Sequence, residues 1–98
     1  MDFLVRIEVS LPPTLDERER AALLRRETER GRALLESGLL RQIWRIPGRL
    51  ANVAIWSAPT ADDLHEALTS LPVWRYAEVS VTALATHPLN ADPGGPPS

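Results

Sequence analysis

The chain has 98 residues, 44% of them hydrophobic and 24% charged, the make-up of one folded domain rather than of a disordered segment. Eleven basic and 13 acidic residues leave a net charge of −2, so there is no electrostatic case for nucleic acid or an anionic membrane surface as partner. With no cysteine, disulfides, thiolate nucleophiles and Cys-ligated zinc are excluded, which is compatible with a reducing cytosol.

From Phe3 to Val9 the residues alternate, with Phe3, Val5, Ile7 and Val9 on one face and Leu4, Arg6 and Glu8 on the other. That is the pattern of a half-buried strand. Charges at Asp2, Arg6 and Glu8 deny this end the apolar core of a signal peptide. No run reaches the length of a transmembrane helix, and a soluble cytoplasmic protein is expected. Pro12-Pro13 breaks the strand, because proline cannot donate to a ladder. A helix is predicted from about Asp16 to Ser37, with Gly38 placed to end it in the left-handed conformation. Leu40 to Ile46 and Ala51 to Trp56 read as two strands of a hairpin turning at Pro47-Gly48. Thr60 with Asp63 resembles a capping box and opens a second helix, predicted to run to about Leu71 and to stop at Pro72. Trp74 to Leu84 supplies the fourth strand.

The order β-α-β-β-α-β predicts an α+β, ferredoxin-like domain: a four-stranded antiparallel sheet with two helices on one face. Its other face also needs cover, and a second subunit, as in a dimeric α+β barrel, is the simplest cover. The domain is expected over residues 1–88. The Pro/Gly-rich tail, 89–98, has too few apolar residues for a core and is expected to be mobile or to lie on a neighbour.

On a helical wheel of about 100° per residue, Leu23, Leu24, Leu34 and Leu35 share one side of the first helix. Glu27 falls near the centre of that side, while Glu29 and Glu36 point away. An ionised carboxylate there needs an explanation. Either it is a general base in a semi-apolar pocket, its proton affinity raised by desolvation, or it pairs structurally with an arginine. Arg45, at the end of the second strand, suits a carboxylate substrate through its planar fork. It would otherwise be a sheet-edge or interface arginine, since Trp44 and Arg45 cannot both face the helices. Asn52 would donate to a developing oxyanion or satisfy a backbone group. His65 borders the apolar stripe of the second helix, as a hydrogen-bonded core residue or a site residue, and Tyr76 is placed to line the same cavity. His65 and His87 are the only histidines and lie far apart, so metal sites get little support. No phosphate loop or Ser-His-Asp signature is visible.

Taken as a series, Leu11-Pro12, Glu27, Glu29, Gly38, Trp44-Arg45-Ile46, Gly48, Ala51-Asn52, Leu64-His65, Leu71-Pro72, Tyr76 and His87-Pro88 resemble the muconolactone Δ-isomerase family of bacterial catechol breakdown, in the β-ketoadipate pathway. The resemblance runs from about Phe3 to Pro88, and departs from the family pattern at Leu39-Leu40, Gln42 and Val53. It implies a ferredoxin-like subunit assembled as a dimer or decamer, and cofactor-independent isomerisation of an unsaturated lactone to 3-oxoadipate enol-lactone. That chemistry fits the residues read above, with Glu27 expected as base and Arg45, Asn52, Tyr76 and His65 toward the substrate. The other classes left open are a non-catalytic binding or assembly module, and a related cyclase or monooxygenase.

Overall fold

The alternation of the first strand sets the layering. In the computed structural model, which describes residues 1–90, β1 (Asp2–Val9) buries Phe3, Val5 and Ile7. It lies between β3 (Ala51–Ser57) and β4 (Ala77–Leu84), with β2 (Leu40–Arg45) outside β3. Every pairing is antiparallel. Helix α1 (Glu17–Ser37) and helix α2 (Ala61–Thr69) cover the face that carries Phe3, Val5, Ala54 and Trp56. Leu34, Leu64, Ala67 and Leu68 close the core from the helical side. The expected α+β, ferredoxin-like architecture is the one observed.

Local chemistry places the helix ends. Asp16 caps α1 by accepting the Glu19 N–H at 2.7 Å, and Gly38 ends it at φ 83°, a conformation that side-chain-bearing residues avoid. Thr60 caps α2 by accepting the Asp63 N–H at 3.1 Å, and its hydroxyl donates to the Asp63 carboxylate at 2.8 Å. The last turns differ from expectation. Helix α2 stops at Thr69 rather than Leu71. Residues Trp74–Tyr76 form a 3₁₀ turn instead of starting β4. There the N–H groups of Trp74 and Tyr76 donate to the carbonyls of Leu71 and Val73, so these donors are spent locally and cannot enter a ladder.

Strand β2 breaks simple alternation. Leu40 pairs with Trp56 but Gln42 pairs with Ile55, so one residue is extra in the ladder, a β-bulge. Beyond it Ile43 and Arg45 lie opposite Ala54 and Asn52, on the helix side, and Gln42 and Trp44 face away. Unbroken alternation from Leu40 would have sent Arg45 to the outer face. The outer face carries Leu4, Trp44, Val53 and Ile55, with Trp44 50% exposed. No helix among the described residues is long and apolar enough to cross a membrane. Residues Pro88–Asn90 form a short 3₁₀ turn, and the rest of the expected tail lies outside the described residues.

Candidate active site

Of the leucines flanking Glu27 on α1, Leu23 and Leu34 are buried, whereas Leu35, near the helix end, is 43% exposed. Glu27 itself is half-buried. Its Oε1 accepts the backbone N–H of Val73 at 3.1 Å. The described residues form ion pairs only at Glu8, which meets Arg6 at 2.9 Å and Arg49 at 3.1 Å. The arginine partner required by a structural role for Glu27 is therefore missing among them. Burial pushes the Glu27 carboxyl above its usual range, and the Val73 N–H, which favours the ionised form, offsets part of that.

Glu27 opens onto a cleft of about 250 Å³ between α1, the sheet and the segment after α2. Ile7, Leu24, Leu50 and Leu71 give it apolar walls, and Glu27, Thr28, Arg45 and Asn52 give it polar groups. This is the composition of a small-molecule site: mostly apolar, with a few convergent polar side chains. Glu27 and Arg45 are the charged groups among its described lining residues. Asn52 enters because it faces the helices between Ile7 on β1 and Arg45 on β2. Its Oδ1 is buried without a hydrogen-bond partner among the described residues.

Glu27, Arg45 and Asn52 thus line one cleft. Tyr76 and His65, both expected beside them, do not. The 3₁₀ turn carries Tyr76 to a separate hollow with Leu15, Leu23 and Arg26, and Arg75 lies over its ring at 5.3 Å. His65 is on the exposed side of α2 and meets Trp74 edge-on, with ring centroids 6.0 Å apart. Two lining groups escaped the sequence reading. Thr28 follows Glu27 in the helix, but its hydroxyl donates to the Leu24 carbonyl at 3.0 Å. The Val73 N–H is a backbone group, and side-chain patterning carries no sign of it. Among the described residues, no three His, Cys, Asp or Glu side chains come together as a metal site.

Fold and cleft together define a ferredoxin-like domain with a carboxylate, a guanidinium and an amide lining a small apolar cavity. Residues 1–90 match the sequence model of the family described as muconolactone delta-isomerase. The Muconolactone Delta-isomerase of Pseudomonas aeruginosa is 34% identical over 94 residues, covering 94% of this chain and 98% of the relative. That of Rhodococcus opacus is 35% identical over 85 residues, covering 87% and 91%. A crystal structure of muconolactone isomerase superposes with a TM-score of 0.88 at 31% identity, covering 98% of this chain and all of the other. The chain belongs to the muconolactone Δ-isomerase family.

Proposed function

We propose that the protein is an isomerase that moves a proton within an unsaturated lactone, converting muconolactone to 3-oxoadipate enol-lactone. The observation that carries this reading is an unpaired, half-buried Glu27 on the wall of a cleft it shares with Arg45 and Asn52, in a chain of this family. Glu27 takes the proton from the ring carbon that bears the carboxymethyl group and returns it to the carbon beside the lactone carbonyl. One base suffices, because the carboxyl that accepts the proton is the acid that gives it back. Desolvation by the leucine walls raises its proton affinity and so its strength as a base. Arg45 holds the substrate carboxylate or the charge of the dienolate, and the Asn52 amide donates to the lactone oxygen. The chemistry so described needs no cofactor.

The reading extends to assembly and location. The apolar outer face of the sheet, with Leu4, Trp44, Val53 and Ile55, pairs with a second copy, as a dimer or within a decamer in the cytoplasm. A binding-only module is the less favoured reading, because Glu27 stands unpaired beside a cavity rather than neutralised by an arginine. Ultraviolet absorbance on mixing purified protein with muconolactone tests the activity. Wild-type protein is expected to turn the lactone over, and Glu27→Gln to do so at least about a hundredfold more slowly. Near-normal turnover by that variant would remove Glu27 from the chemistry.

A further inference from the structure

Glu27 draws its hydrogen bond from a segment 46 residues further along the chain. Leu71 and Val73 are buried in that segment and form part of the cleft wall. Its amides are accounted for one by one. Leu71 N–H donates to the Leu68 carbonyl and Trp74 N–H to that of Leu71, while Pro72 has no N–H and a fixed φ. The remaining amide, Val73, goes to Glu27. One residue further on, the Trp74 ring meets His65 of α2, the two planes at 88°, an edge-to-face geometry that aromatic rings favour.

We propose that residues 71–74 are the positioning element of the site: Val73 N–H fixes Oε1 of Glu27, so that Oε2 is the oxygen that exchanges the proton. His65, acting through Trp74, braces this turn as a positioning residue and is not a substrate ligand. The inference rests on Glu27 being the base. A carboxylate tethered by one oxygen has less rotation to lose when substrate binds, and its free oxygen is already aimed. Pro72 contributes by stiffening the backbone on one side of the donor, and the aromatic pair by packing on the other.

The direct test removes one hydrogen. Semisynthesis with 2-hydroxyisovaleric acid at position 73 keeps the valine side chain and replaces the N–H by an ester oxygen. Two quantities are read: the titration of Glu27, by carbon-13 NMR of its carboxyl in unliganded protein, and the pH profile of kcat/KM on muconolactone. The described cleft lining contributes one other charged group, Arg45. The expected result is a Glu27 titration moved up by about one pH unit, with the acid limb of the profile moved by the same amount. A titration that stays put overturns the tether and leaves the base assignment standing, to be judged by Glu27→Gln. A titration that moves while the profile does not overturns the inference together with the base assignment.

The brace is tested with His65→Ala and His65→Phe. Alanine is expected to lower kcat several-fold with KM unchanged, and phenylalanine, which keeps an edge-to-face contact, to restore it. A raised KM with unchanged kcat in His65→Ala, or equal loss in both variants, overturns the positioning role.

Discussion

A carboxyl between Leu23 and Leu34 gives up part of its hydration, and a single amide donor returns only some of it. The folded state therefore holds the Glu27 proton more tightly than the unfolded chain does. Stability from this group is fully present below the ordinary carboxyl value of 4.5 and is lost as pH rises through the raised folded value. Gln at this position carries no charge and keeps an oxygen for the Val73 N–H. Glu27→Gln is thus expected to melt above wild type at neutral pH, with the gap closing near about pH 4, as thermal scans across pH would read. A variant that melts below wild type throughout would mean that ionised Glu27 is no burden to the fold. Arg45 invites a different measurement. If its fork grips the substrate carboxylate, Arg45→Ala raises KM about tenfold or more, and Arg45→Lys recovers only part of that, because an ammonium cannot bind both oxygens in one plane. An unchanged KM in Arg45→Ala would move the carboxylate elsewhere.

At the level of elements, what could be read in the sequence depended on how regular each element is. Helix α1 keeps its 3.6-residue period from Asp16 to Gly38, so the wheel put Glu27 on the correct side. Strand β2 does not keep its period of two. The bulge after Leu40 decides the direction of Arg45, and nothing in LRQIWR marks which residue is extra. The end of α2 was lost for a related reason: Pro72 marks a stop, but the 3₁₀ turn after it uses backbone donors, which side-chain patterns do not register. Tyr76 is carried to its separate hollow by that turn, whereas His65 lies away from the cleft for another reason, its place on the exposed side of α2. The bulge itself makes a prediction. Deleting Arg41 leaves Leu40, Gln42, Ile43, Trp44 and Arg45 facing Trp56, Ile55, Ala54, Val53 and Asn52 in an unbroken ladder. That variant is expected to fold and to keep the KM of wild type, since Arg45 still points at the cleft. A KM like that of Arg45→Ala would show that the bulge does more than set direction.

For the molecule as a whole, a chain of this size leaves much of its apolar surface in water, and the outer face of the sheet is where it shows. Trp44 and Leu4 there are 50% and 37% exposed. A glutamate at Trp44 is expected to shift the sedimenting mass toward a single chain while the helix-side core keeps its fold. An unaltered mass would place the subunit contact on another surface. Trp44 is also the immediate neighbour of Arg45, and the two point to opposite sides of one strand. A copy that closes over the indole therefore restrains the same peptide that aims the guanidinium. If the proposed second copy does close there, substrate grip and self-association are linked equilibria, each changing the other by the same factor, and activity per chain is expected to fall on dilution.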